Sequence, residues 1–265
     1  MKAILIDKNK FKRKKYRNVI NIFPIIVVCL SIATSLMIAS FFSTIITTSG
    51  IGLINTTTKT QGSLTLFALS LGTCNTFAQA EELSTSIKNK GGGGVIYKTD
   101  VFHVLASAYE IENDALKVQT NLNSQGMTSQ IIKIEISQTS ISANYTLNEV
   151  SALDDSLNAY KDAFRTLFEL SISLDTQTKT EIVVKESINK LHQRLIKNKE
   201  DFALHLNKKL TANLVTLSLQ NEKTTSIVKN LIETSKPLIT EIKTAYLTIV
   251  INQAEMLSNL QTTVF

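Results

Sequence analysis

The chain has 265 residues, of which 43% are hydrophobic and 19% charged, a balance that excludes an intrinsically disordered chain and leaves room for one or two cores. Its formal charge of +6 is unevenly placed: residues 1–18 hold eight lysines and arginines against Asp7, leaving 20 basic and 21 acidic residues in the rest. A nearly neutral folded part counts against nucleic acid as a partner, and two cysteines with three histidines supply neither a disulfide framework nor the material of a metal centre.

In chain order, residues 1–18 read as a basic cytoplasmic tail. Residues 19–46 follow without one charged side chain in 28 positions. A bilayer needs roughly 20 apolar residues to cross, so this run predicts a single transmembrane helix, with Pro24 in its first turn where a missing N–H costs little. Lysine and arginine crowd only the amino-terminal flank, which keeps the amino terminus in the cytoplasm and puts the carboxy-terminal region outside the membrane. A cleaved signal peptide is the competing reading; its apolar core is ordinarily shorter, and no small-x-small site follows at a suitable distance. Residues 47–63, rich in Gly, Ser, Thr and Asn, read as a linker.

From Leu64 the pattern changes. Leu64 to Gly72 alternates as a strand does, and Phe77 to Lys90 carries Phe77, Ala80, Leu83 and Ile87 at helical spacing. Gly91-Gly92-Gly93-Gly94 holds four of the nine glycines, and its place after a helix predicts a left-handed cap at Gly91. Val95 to Tyr97 is a short strand and Val101 to Tyr109 a longer one. A second helix over Ile111 to Gln125, with Ala115, Val118 and Leu122, stops at Gly126, and Gln130 to Ile136 gives a last strand. The order β-α-β-β-α-β is the split pattern of ferredoxin-like domains.

The two halves, Phe67 to Cys74 and Phe102 to Tyr109, are each followed by a helix with an early alanine, a late aliphatic residue and a terminal glycine. In Phe67, Leu69, Leu71, Gly72-Thr73-Cys74, Ala80 and Gly91, and again in Val104, Ala106, Ala115, Leu122 and Gly126, residues 64–137 resemble the SPOR domain (sporulation-related repeat). That resemblance implies a partner, the glycan strands of bacterial peptidoglycan, bound in a shallow cleft on the open side of the sheet. Alternation puts Leu69, Leu71, Val104 and Ala106 toward the helices. It puts Ala68, Ser70, Gly72, His103, Leu105 and Ser107 on the open side and leaves Leu66 and Phe67 ambiguous. Sugar rings offer polar edges and apolar faces, so the candidate glycan-binding residues are Ser70, Gly72, Tyr97, His103, Ser107 and Tyr109. Each has a purely structural alternative: a strand histidine facing solvent, a tyrosine at the rim of a core.

After the polar connector Gln138 to Asn144, Thr146-Leu147-Asn148-Glu149 has capping-box spacing. Val150, Leu153, Leu157, Tyr160, Phe164 and Leu167 then recur as an a/d seam, predicting a helix over 147–174. A second helix is expected over 179–219, and a third segment kinked or restarted at Pro237, with a pause in the apolar pattern at Gln220-Asn221. Residues 146–263 contain no glycine and read as an antiparallel helical bundle or coiled coil. The fold class expected is therefore α+β, with a transmembrane helix, a ferredoxin-like domain and a helical bundle.

No metal, cofactor or catalytic signature is present. His192 and His205 lie thirteen residues apart on one helix, about 220° around it, and cannot share an ion. The glycine run follows a helix and precedes a strand, the reverse of a phosphate-binding loop. Cys74 reads as a small buried hydrophobe, with intermolecular pairing or a reactive thiol as alternatives. Two non-enzymatic functions remain: a single-pass bacterial envelope protein that binds peptidoglycan in division or sporulation, or a membrane-tethered scaffold whose helices bind protein partners or each other, without sugar binding.

Overall fold

The computed structural model describes residues 57–61, 63–143, 145–209 and 211–262. The elements are β1 (Thr57–Gln61), β2 (Leu64–Cys74), α1 (Phe77–Asn89), β3 (Val95–Lys98), β4 (Phe102–Tyr109), α2 (Glu112–Ser124), β5 (Gln130–Ile136), β6 (Thr139–Ala143), α3 (Leu147–Asp175), α4 (Glu181–Leu206), a 3-10 turn (Asn207–Lys209), α5 (Ala212–Glu233) and α6 (Leu238–Thr262). Among these helices none is long and apolar enough to cross a membrane. The uncharged run 19–46, on which the transmembrane expectation rests, lies outside the described residues, as do the tail and Cys29.

Four strands form an antiparallel sheet in the order β3-β4-β2-β5. With α1 between β2 and β3, and α2 between β4 and β5, the chain has an α+β fold in which each half contributes one central and one edge strand. The glycines expected as caps are caps. Gly91, at φ 85°, donates its N–H to Lys88 O while Gly92 donates to Ile87 O; Gly126, at φ 79°, donates to Asn123 O while Met127 donates to Leu122 O. Both helices therefore end in the same Schellman motif, whose left-handed residue is least costly as glycine.

The polar stretches read as linker and connector hold more structure than their composition suggests. Thr57–Gln61 and Thr139–Ala143 pair as a two-stranded antiparallel ribbon, Thr57 opposite Ala143 and Gln61 opposite Thr139. This ribbon joins the segments that flank the sheet unit, and Ile141 packs with Ala152, Leu153, Phe202, Leu206 and Leu214 at one end of the bundle.

The helical region is a bundle of four helices, since the segment expected as one helix over 179–219 is two. It breaks at 207–211, where Thr211 Oγ1 accepts the Leu214 N–H and starts α5. No glycine or proline marks the break. At the start of α3 the expected capping box is formed: Thr146 Oγ1 accepts from Glu149 N–H and the Glu149 carboxylate accepts from Thr146 N–H. The pause at Gln220-Asn221 is not a break. Both side chains are buried within α5, where Gln220 Nε2, Asn221 Nδ2 and Thr224 Oγ1, with Ser156 Oγ and Tyr160 Oη of α3, find no hydrogen-bond partner among the described residues.

Sheet and bundle share one core. Leu64, Leu66, Ala68, Leu105, Ala108, Ile134 and Ile136 meet Tyr160, Phe164, Leu167, Tyr246, Leu247 and Val250 in a single cluster. A fully buried aliphatic or aromatic side chain contributes roughly 1.5–3 kcal/mol, so this interface is held chiefly by apolar burial. The fork from Arg165 to Glu110, with Nε at 2.6 Å and Nη2 at 2.8 Å from the carboxylate oxygens, is one-third exposed on both sides and adds about 1 kcal/mol at most. Three side chains of α6 complete the join at the end of α1: Thr240 donates to Lys88 O, Lys243 to Gly91 O and Thr244 to Gly93 O. Lys88 O, which already accepts from Gly91 N–H, takes a second bond, and Gly91 O and Gly93 O gain partners across to α6.

Candidate functional site

The face of the sheet expected to be open is covered by α3 and α6. Ser70 is fully buried there, and its hydroxyl donates to Gly72 O at 2.9 Å. His103 is 9% exposed, with Gln130 Nε2 at 3.1 Å from Nδ1 and Thr99 Oγ1 at 3.1 Å from Nε2. Both ring nitrogens thus have a partner within the sheet unit. Burial lowers the His103 pKa below its ordinary value. Tyr97, opposite His103 on β3, packs against the shared core.

Gly72, Ser107 and Tyr109 lie on the other face. Strict alternation fails because the β2–β4 ladder has two irregularities. Leu69 pairs with Ser107 but Ser70 pairs with Leu105, so one extra residue stands in β4; Ser70 pairs with Leu105 but Thr73 pairs with His103, so one stands in β2. Each bulge inverts the facing of the residues beyond it. A Cβ on Gly72 would meet Leu83 Cδ2 of α1 at 2.6 Å, which fixes that residue on the helix side. The six candidate residues thus divide, with Ser70, Tyr97 and His103 on one face of the sheet and Gly72, Ser107 and Tyr109 on the other, where the Tyr109 ring also meets Phe168 of α3 edge-on at 5.7 Å.

Ser107 and Tyr109 line a half-open cavity of about 200 Å³ between the helix-side face of the sheet, α1, α2 and residues of α3 and α6. Its wall is largely apolar, with Leu69, Leu71, Ile87, Leu122 and Phe168, and sequence periodicity alone could not find it because α3 and α6 supply one side. Six of the polar side chains that line it are paired with one another. Ser107 Oγ donates to Tyr109 Oη at 3.2 Å, Lys243 Nζ lies 2.9 Å from Asp175 Oδ2, and Lys117 Nζ lies 3.0 Å from Asp114 Oδ1. Burial, the larger effect, and the carboxylates of Asp175 and Asp114 push the Tyr109 hydroxyl up to about 12 against the bond from Ser107. At neutral pH it is a neutral phenol, suited to hydrogen bonding and not to nucleophilic attack.

No family model, curated protein or solved structure matches the chain. Among the described residues no group of three or more His, Cys, Asp or Glu side chains is placed to hold a metal ion. Cys74, the free cysteine of the sheet unit, is half-buried beside Leu83 and Phe102.

Proposed function

We propose that the protein is a non-enzymatic, membrane-tethered scaffold of the bacterial envelope, in which a ferredoxin-like unit resembling the SPOR domain is joined through its sheet face to a four-helix bundle. One observation carries this reading: Leu66, Ala68, Leu105 and Ile134, on the face where the resemblance places glycan, are buried against Tyr160, Phe164 and Tyr246. Ser70 is fully buried and His103 is 9% exposed, so neither is open to a saccharide in this fold. The uncharged run 19–46 with its basic flank supports a single span, an amino terminus in the cytoplasm and the described residues outside.

Peptidoglycan binding is the second reading. It is favoured by the residue pattern on which the resemblance rests, and by the matching glycine caps that end the helices of the two halves. Sedimentation with purified sacculi, before and after amidase removal of stem peptides, separates the two. The scaffold reading expects no enrichment of the intact protein on either; enrichment on denuded glycan would replace it with the second.

A further inference from the structure

Thr57, the first described residue, pairs with Ala143, four positions ahead of Leu147 at the start of α3. The chain after the uncharged run therefore joins the folded part at one end of the bundle. The up-and-down order of the helices brings the last turn of α4, the turn Asn207–Lys209 and the first turns of α5 to that same end. Four large apolar side chains are exposed there: Leu147 at 88%, Leu204 at 74%, Leu219 at 54% and Val215 at 43%. Exposed apolar side chains are ordinary on any protein surface, and Ile182 and Val183 are exposed at the opposite end too, so it is the place where the chain enters that singles out this end.

Ten residues, 47–56, separate the uncharged run from Thr57. Even fully extended they span about 36 Å, so a span at 19–46 keeps this end of the bundle within that distance of the lipid. We propose that the end bearing Leu147, Leu204, Val215 and Leu219 rests on the bilayer surface, its apolar side chains among the lipid headgroups. The inference rests on the transmembrane reading of 19–46. Exposed Lys208, in the turn between Leu204 and Val215, can lay its stem along the apolar layer and reach a lipid phosphate. Asp201, one turn from Leu204, opposes attraction to anionic lipid, so the contact is apolar first and holds on a neutral bilayer.

The chain has no tryptophan, so one introduced indole reports one position. Leu204→Trp and Leu147→Trp are placed at this end, and Val183→Trp, 43% exposed at the opposite end of the bundle, is the control. Each full-length protein is incorporated into phosphatidylcholine vesicles with and without dibrominated phosphatidylcholine. The expected result is blue-shifted, bromine-quenched emission from Trp at 204 and 147 and unquenched emission from Trp at 183. Retention in the vesicles after carbonate washing with unquenched emission at 204 and 147 overturns the surface contact while leaving the span intact. Release by carbonate overturns the span and the contact together. A blue shift that tracks protein dilution, with no response to brominated lipid, assigns the patch to a second copy of the chain and overturns the lipid contact.

Discussion

Two tyrosines in one core differ only in what their hydroxyls meet. Tyr160 is 2% exposed and its hydroxyl finds no hydrogen-bond partner among the described residues, whereas the hydroxyl of Tyr246, 1% exposed, faces the polar groups of the Ala108 backbone and the Ser171 side chain. An unpartnered buried hydroxyl carries its full desolvation cost, while a bonded one contributes about 1 kcal/mol net. Tyr160→Phe should therefore leave stability unchanged or raise it by up to about 1 kcal/mol, and Tyr246→Phe should be the more costly of the two, read from urea midpoints at constant slope. His103 adds a dependence on pH. Its folded pKa lies below the ordinary 6.5, so the unfolded chain takes up the proton first; the stability it contributes is full above about 6.5 and is lost as pH falls through the folded pKa. The fall in midpoint below pH 6.5 should be shallower in His103→Gln than in the parent. At this scale the sequence misleads at Gly72 and Ser107, because a bulge adds a residue without altering composition, and alternation counts residues and not pairs.

Elements were more legible than facings. The bounds of β5, the capping box at Thr146 and the glycine stops of α1 and α2 arise from local chemistry that a single sequence displays. The break between α4 and α5 does not, because Phe202 and Leu206 keep the apolar period up to it and Thr211 is its only local mark. The glycine run has a second purpose that its sequence hides. Gly93 has no left-handed φ, yet a Cβ there would meet Leu247 Cδ1 at 2.6 Å and the Lys243 backbone at 3.1 Å. Backbone cannot yield as a side-chain end can, so Gly93→Ala should push α6 from the edge of the sheet and cost about 1–3 kcal/mol, as overpacking does. Gly91→Ala meets nothing within 4 Å and should lose only the left-handed preference, about 1–2 kcal/mol. Amide exchange near Thr240 and Thr244 distinguishes them: it should quicken in the Gly93 variant and not in the Gly91 variant.

At the scale of the molecule, the sheet unit depends on the bundle. A separately expressed segment 64–137 would bare Leu66, Leu105, Ile134 and Ile136, each at most 1% exposed in the whole chain. It should self-associate in light scattering at concentrations where the chain with α3–α6 present stays dispersed, and monomeric 64–137 with a native-like melt would show that the shared core is dispensable. The signal for this covering was present in the sequence: Leu64, Leu66 and Ala68 on β2 and Ile132, Ile134 and Ile136 on β5 make one face too apolar for water. The sequence does not disclose which helices supply the cover, since contacts across the chain carry no local periodicity.

The ribbon of β1 and β6 has a mechanical consequence. Tension drawn through the chain ahead of Thr57 and resisted at α3 loads both strands from the same end, because Thr57 sits opposite Ala143. Such a load opens pairs one after another instead of shearing all five at once. Each residue of β1 released adds about 3.4 Å, so the five-residue strand yields about 17 Å of slack before force reaches β2, which is held by neighbours on both sides. The two-stranded ribbon is thereby the first extensible joint between the chain ahead of Thr57 and the sheet.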